Sequence, residues 1–220
     1  MRKQILGYAA AAALALPVGG TAVASTSGAG TGEAYSLGRC IVKADRSAAV
    51  RLMNQLPLAG DSTNLDASQL GKASRCLGAS ASGVSAMALR GGIAQELFLK
   101  DFEEFGVRPQ REVADFADYD LPVEEEAGNV PADTHALFRL GECAVRNDTV
   151  NAVKLLRAPV GSQQEMNIIN SMRPMLGACQ PAGSNVAIGR GELRSVMAQA
   201  AYHVSARYWR GDLKTPPKGW

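Results

Sequence analysis

The 220-residue chain has 46% hydrophobic and 20% charged residues, a composition that excludes disorder along its whole length. Its length fits one large domain or two small ones. Only 5% of the residues are aromatic whereas Gly is plentiful, and small residues favour closely packed helices over a β-sandwich.

The N-terminus has the pattern of a secretory signal peptide spanning residues 1–24. Arg2 and Lys3 precede an apolar stretch, and Ala22-Val23-Ala24 supplies a small-x-small cleavage pattern. We expect cleavage after Ala24 and a periplasmic or secreted protein. The apolar stretch is shorter than the roughly 20 residues that span a bilayer, so the cleaved chain is not expected to be an integral membrane protein.

Removal of this signal leaves 21 basic and 21 acidic residues. A formally neutral chain lacks the electrostatic signature of a general nucleic-acid-binding protein. We therefore expect no nucleic-acid partner.

An internal duplication is the strongest pattern in the sequence. Residues 37–53 align with residues 140–156 at a constant offset of 103, with eight of 17 positions identical, and the same offset relates Cys76 to Cys179. After one inserted residue, 89–98 aligns with 193–202. The sequence thus predicts an all-α fold of two tandem, disulfide-stapled modules, residues 35–98 and 137–208, with about four helices each and a pseudo-two-fold relation.

Apolar spacing and helix-end signals outline the helices of each module. Apolar residues at i, i+3, i+4 and i+7 predict a first helix through Leu37, Cys40, Ile41 and Ala44. Asp45 and Asp148 precede the second helices as candidate N-caps. A third helical segment leads to the second cysteine of each module. Gly71 and Pro174 occupy the same repeat position there and predict a helix start or kink.

The last helix of each module is predicted to begin near Ser85 or Gly189, both acceptable N-caps. Between the modules, residues 99–136 hold 11 of the 21 acidic residues. This stretch is either a mobile linker or an extended strap, and its aromatic residues argue that part of it is anchored. Residues 209–220 are predicted to form a flexible tail.

Four cysteines in an exported chain point to disulfides. Three connectivities exist, and the duplication favours Cys40–Cys76 with Cys143–Cys179, because each module then closes its own loop. Each closure is worth roughly 4 kcal/mol in the chain-entropy model. A metal site is disfavoured because closely spaced Cys or His pairs are absent from the sequence.

Polar residues repeated in both modules are the candidates for chemistry. Asp45 and Arg90 correspond to Asp148 and Arg194, and Gln95 corresponds to Gln199. The functional interpretation is a pair of anion sites built on the arginines. We favour the structural one, in which each Asp caps a helix, each Arg ties the fourth helix to the second, and Asp45–Arg90 and Asp148–Arg194 form matching ion pairs.

No catalytic, cofactor-binding or metal-binding residues are assigned. His203 could act as a general base but is expected to be a hydrogen-bonded helical residue. Neither a G-x-S-x-G nor a P-loop motif occurs in the sequence.

The repeated pattern Leu-Gly-x-Cys-x-Val-x-x-Asp resembles exported helical proteins of sphingomonad-type Gram-negative bacteria, a group with no known activity. It is carried by Leu37, Gly38, Cys40, Val42 and Asp45 and by Leu140, Gly141, Cys143, Val145 and Asp148. The pattern ends at the second cysteine with Leu176-Gly177-Ala178-Cys179 in the second module. The first module differs there and has Ala73-Ser74-Arg75-Cys76. The resemblance implies a periplasmic or secreted setting and supplies no activity.

By elimination and compartment, the sequence predicts a non-enzymatic binding protein for an envelope protein or small molecule, with the groove between the modules as one place for a ligand. One alternative is an envelope hydrolase or other enzyme with Arg90, Arg194 or His203 in a cleft between the modules. Another is a purely structural or stress-related envelope protein.

Overall fold

A computed structural model describes residues 28–58, 65, 67–77, 83–102, 132–180 and 188–211. The predicted signal peptide, residues 103–131 of the predicted linker and the tail after residue 211 lie outside these residues. Within them all regular structure is helical and no strand occurs, which confirms the predicted all-α class. No helix in this part of the chain is long and apolar enough to cross a bilayer.

The described residues form eight α-helices and one 3-10 helix. They are α1 Gly28–Ala44, α2 Arg46–Gln55, α3 Ala67–Leu70, the 3-10 helix Gly71–Cys76, α4 Ala86–Asp101, α5 Ala132–Asn147, α6 Thr149–Arg157, α7 Gln163–Cys179 and α8 Arg190–Gly211. We call α1 to α4 with the 3-10 helix the first half and α5 to α8 the second half.

The helix ends follow local hydrogen-bonding chemistry. The carboxylates of Asp45 and Asp148 accept hydrogen bonds from the backbone N–H groups of Ala48 at 2.9 Å and Asn151 at 3.3 Å, and the Ser85 hydroxyl caps α4. The predicted caps at these positions are therefore confirmed, since each oxygen satisfies a backbone donor that the first helical turn leaves open.

Several boundaries differ from those predicted. Helix α1 begins at Gly28 and α5 at Ala132, whereas the modules were predicted to begin at residues 35 and 137. Gly71, with φ of +51°, starts the 3-10 helix, but α7 continues through Pro174. The third segment is thus two short helices in the first half and one long helix in the second.

Both disulfides have the predicted connectivity. Cys40–Cys76 joins α1 to the 3-10 helix, and Cys143–Cys179 joins α5 to α7, with Cα–Cα distances of 5.8 and 5.6 Å. Each bridge closes a loop within one half, so the covalent cross-links do not hold the halves to each other.

Helices α4 and α8 pack against each other at the centre, while α1 packs on α4 and α5 packs on α8. One continuous hydrophobic core includes residues of both halves. From Ala86 to Gln95 every residue of α4 is buried, because this helix is surrounded on all sides instead of presenting one face to water.

Glycines allow the helices to approach this closely. A Cβ atom on Gly38 of α1 would lie 2.7 Å from the backbone of Gly92 on α4, and one on Gly91 would lie 2.6 Å from Ser195 on α8. A Cβ atom on the repeat-equivalent Gly141 of α5 would lie 3.0 Å from the backbone of Val196 on α8. The glycine of the repeated Leu-Gly-x-Cys pattern is therefore a helix-crossing residue in both halves.

We predict that Gly38→Ala lowers the free energy of unfolding by about 1–3 kcal/mol, because its methyl group would press on backbone atoms that a rotamer change cannot move. Urea unfolding followed by circular dichroism measures this. The matched control is Gly177→Ala in α7, where a Cβ meets nothing within 4 Å and helix propensity predicts a gain of up to about 1 kcal/mol. Equal effects of the two substitutions would contradict the assignment of Gly38 as a crossing residue.

Candidate functional site

The most unusual feature of the interior is a group of polar side chains at the α4–α8 contact. Arg90, Gln95, Glu165, Arg194 and Gln199 are all at most 4% exposed. We call them the junction cluster. Buried charges require partners, because the loss of hydration costs several kcal/mol per ion.

Two arginine–glutamine bonds cross between the halves. Arg90 Nε on α4 donates to Gln199 Oε1 on α8 at 2.9 Å, and Arg194 Nε on α8 donates to Gln95 Oε1 on α4 at 3.0 Å. Arg90 and Arg194 occupy equivalent repeat positions, as do Gln95 and Gln199. Each bond is therefore the repeat counterpart of the other.

Each arginine also holds the end of the second helix of its own half. Arg90 Nη1 donates to the carbonyl of Leu56, the C-cap of α2. Arg194 Nη2 donates to the carbonyls of Leu156 at 3.2 Å and Ala158 at 2.7 Å, at the end of α6. The carbonyl end of a helix carries partial negative charge and unsatisfied acceptors, so it suits a buried guanidinium group.

Glu165 supplies the counter-ion of Arg194. Its Oε1 accepts from Arg194 Nη1 at 3.0 Å, its Oε2 accepts from the backbone N–H of Gly161 at 2.6 Å, and Arg190 Nε lies 3.6 Å from Oε2. Glu165 stands in the first turn of α7, three residues after the N-cap Ser162, whose hydroxyl accepts from the Glu165 N–H. One carboxylate thus connects the start of α7 to α8.

Tyr35 of α1 lies against this cluster. Its hydroxyl is 3.2 Å from Ser195 Oγ, which donates to the Gly191 carbonyl at 2.8 Å, so the tyrosine O–H donates to the serine. The Arg194 guanidinium lies 5.3 Å from the ring centroid, within cation–π range. Burial raises the pKa of Tyr35 to about 12, although the nearby Arg194 charge opposes the rise.

The predicted ion pairs are wrong. Among the residues that the structure describes, no ion pair joins Asp45 to Arg90 or Asp148 to Arg194. The Asp side chains cap α2 and α6 at their N-termini, while the arginines bind near the C-termini of the same two helices. One part of the structural interpretation is confirmed, since each Arg does tie the fourth helix of its half to the second.

The junction cluster cannot contact a ligand from solution in this conformation. Arg90 and Arg194 are 1% and 0% exposed. Helix α4 is so close to α8 at Gly91 that a Cβ atom there would lie 2.6 Å from Ser195. At Gly91 and Ser195 the two helices are therefore too close to leave room for a ligand. His203 is half-buried on α8, with its ring 5.6 Å from that of Tyr202.

Sequence reasoning missed Glu165 and Tyr35. A signal for Glu165 was present, because Ser162-x-x-Glu165 has the spacing of a capping box. The burial of Glu165 had no such signal, because it depends on how α7 meets α8. Tyr35 sits at the repeat position of Phe138, which predicts a buried ring but not its hydroxyl bond.

Comparison of the chain with protein-family models, curated proteins and solved structures finds no match. Fold and site together define a disulfide-bonded all-α protein whose two halves meet at a buried polar contact.

We predict that Arg194→Met lowers the free energy of unfolding by about 3–5 kcal/mol, since it leaves the Glu165 carboxylate buried without its closer cation. The double variant that also carries Glu165→Gln should be about 1–3 kcal/mol more stable than the sum of the two single effects predicts, because the two residues interact directly. Denaturant unfolding of the two single variants and the double variant measures the coupling. As a control, Arg173→Met at an exposed position of α7 should change stability by about 0.5 kcal/mol or less. Additive effects of the coupled pair would refute the role given to Glu165.

We predict that the free energy of unfolding falls above pH 10 because of Tyr35. Its pKa in the folded chain is about 12 against an ordinary 10.0, so the folded state holds the phenol proton more tightly than the unfolded state. This stabilisation is complete below pH 10 and is lost as the pH rises towards 12, by roughly 2–3 kcal/mol.

Comparison of wild type with Tyr35→Phe isolates this effect. At pH 7 the free energy of unfolding of the variant should be about 0.5–1.5 kcal/mol lower, because the hydrogen bond of the tyrosine hydroxyl is lost. Between pH 10 and 12 its stability should decline less than that of the wild type. The same decline in both proteins would show that Tyr35 is not the responsible group.

Proposed function

We propose that this chain is an exported, non-enzymatic interaction protein that binds an acidic protein partner outside the cytoplasm. Two disulfides formed by all four cysteines support a compartment outside the reducing cytoplasm. The predicted signal peptide, cleaved after Ala24, would deliver the chain there, in agreement with the exported setting that the sequence resemblance implies.

The observation that carries the proposal is the charge of the helical surface. Across the described ranges, ten basic side chains are exposed but only three acidic ones. The exposed acidic residues are Glu33, Asp133 and Glu192. The formal neutrality of the mature chain is therefore an average, because residues 103–131 contain nine acidic and two basic residues.

The other acidic side chains of the helices are engaged within the protein. Asp45 and Asp148 cap helices, Asp101 accepts hydrogen bonds from Arg46 through both carboxylate oxygens, and Glu165 pairs with Arg194. The hydrogen bonds to Asp101 raise the pKa of Arg46. Internal use of the acids leaves the cations facing solvent, and a positive surface steers and selects negatively charged partners.

The halves are proposed to be related by an approximate two-fold axis that passes between Gly91 and Ser195. These two residues occupy equivalent repeat positions and touch each other. The reciprocal Arg90–Gln199 and Arg194–Gln95 bonds support the same relation. On this proposal the buried arginines serve assembly, and binding falls to the outer helical faces.

In-cell cross-linking of the exported chain, followed by affinity capture and mass spectrometry, tests the function. We expect an acidic partner that binds the purified chain at about 0.05 M salt and is released near 0.5 M, because exposed charge pairs are screened. Lys154→Glu with Arg157→Glu, which reverses two exposed cations on one face of α6, should weaken this binding.

The control variant, Gln163→Glu with Gln164→Glu, adds the same number of acidic residues at exposed neutral positions of α7. A partner retained regardless of salt, or one with a basic surface, would overturn the proposed charge-based recognition. Turnover of a substrate by the purified chain would overturn the non-enzymatic assignment.

A further inference from the structure

The two disulfides have different surroundings. Cys40 and Cys76 are both partly exposed, whereas Cys179 of the second bridge is 8% exposed and belongs to the core. A thiolate must reach a sulfur atom along the S–S axis to exchange with a disulfide. Both residues of the first bridge are thus partly exposed, whereas in the second bridge Cys143 is partly exposed and Cys179 is buried.

Three exposed cations lie close in sequence to the cysteines of the first bridge. Lys43 lies three residues after Cys40 on α1, and Lys72 and Arg75 lie four and one residues before Cys76 in the 3-10 helix. All three are within about one helical turn of the joined cysteines. No ion pair connects them to any acidic residue that the structure describes. We call Lys43, Lys72 and Arg75 the cationic collar.

Among the described residues, the second bridge has one exposed cation within about one helical turn, Arg139, four residues before Cys143. The repeat offset of 103 places Arg146, Met175 and Ala178 at the corresponding positions. Arg146 is already paired with Glu142 at 2.6 Å. The duplicated cysteines thus share a connectivity but not an electrostatic environment.

The segments that carry Cys76 and Cys179 are also held differently. Residues 67–76 form a four-residue helix and a 3-10 helix, anchored in the core by Leu70 and Ala73. Helix α7 has 17 residues, buries Met172, and is tied to α8 through Glu165. Local opening around the first bridge should cost less free energy, because fewer buried groups separate.

We propose that Cys40–Cys76 is a thiol–disulfide exchange site for anionic thiols, while Cys143–Cys179 serves structure alone. An incoming thiolate attacks one sulfur of the Cys40–Cys76 bond, forms a mixed disulfide with it, and expels the other sulfur as a thiolate beside the cationic collar. A second thiol of the reductant then resolves the mixed disulfide, so two thiols are oxidised to one disulfide while the bridge takes up two electrons.

Positive charge favours this exchange in two ways. It attracts an anionic nucleophile, and it stabilises the thiolate that leaves and so speeds its departure. The inference does not depend on the partner proposed above, since it concerns the bridge and its neighbours only.

The test treats the folded, oxidised chain with glutathione under native conditions. The reaction is quenched with acid, free thiols are alkylated, and each cysteine is quantified by mass spectrometry. We expect Cys40 and Cys76 to be labelled at least about tenfold faster than Cys143 and Cys179. Equal labelling rates, or faster labelling of the second pair, would overturn the proposal.

The charge requirement is tested with Lys43→Glu, Lys72→Glu and Arg75→Glu together. Glutathione carries net negative charge and cysteamine a positive ammonium group. The rate with glutathione divided by the rate with cysteamine at the first bridge should be about tenfold lower in the triple variant than in the wild type. The matched control, Arg139→Glu with Gln164→Glu and Arg173→Glu at exposed positions of the second half, should leave this ratio unchanged.

Circular dichroism before reduction confirms that both triple variants are folded. A ratio that is the same in wild type and the collar variant would refute the role of the cations even if the first bridge reacts faster.

Discussion

A guanidinium group taken out of water costs several kcal/mol unless its charge and its N–H groups find partners. Two such groups, Arg90 and Arg194, lie at the centre of this protein. Their partners come from the other half through glutamine and from the ends of α2 and α6 through backbone carbonyls. Because these acceptors coincide only when α4 crosses α8 at the observed position, the arginines fix how the halves meet.

Close helix packing makes this arrangement possible. Gly38 lets α1 approach α4, and Gly91 lets α4 approach Ser195 of α8, at distances that a Cβ atom would prevent. Small residues bring the backbones together, and polar side chains then select one register. The disulfides act at a different level, since each closes a loop inside one half. Covalent bonds thus stabilise the halves, while packing and hydrogen bonds unite them.

The two halves share some local contacts and differ in others. Asp45 and Asp148 retain the same capping role, and the arginine–glutamine bonds are retained in both directions. The segments before the second cysteine differ, as α7 is one long helix whereas its counterpart is split at Gly71. The arginines of the junction cluster are constrained both by contacts within their own half and by contacts with the other half. Surface positions, such as those around the bridges, are free to change charge.

The amino-acid sequence by itself determined the helical class, the disulfide pairing and the caps at Asp45, Asp148 and Ser85. These features depend on periodicity, on cysteines at a repeated spacing, and on hydrogen bonds within a few residues. Tertiary structure alone decided the partners of Arg90 and Arg194 and the burial of Glu165. A long side chain bonds to whatever acceptors lie within its reach in space. Those acceptors lie at least 29 residues away along the chain or in the opposite half, so spacing in the sequence does not indicate which of them are near in space.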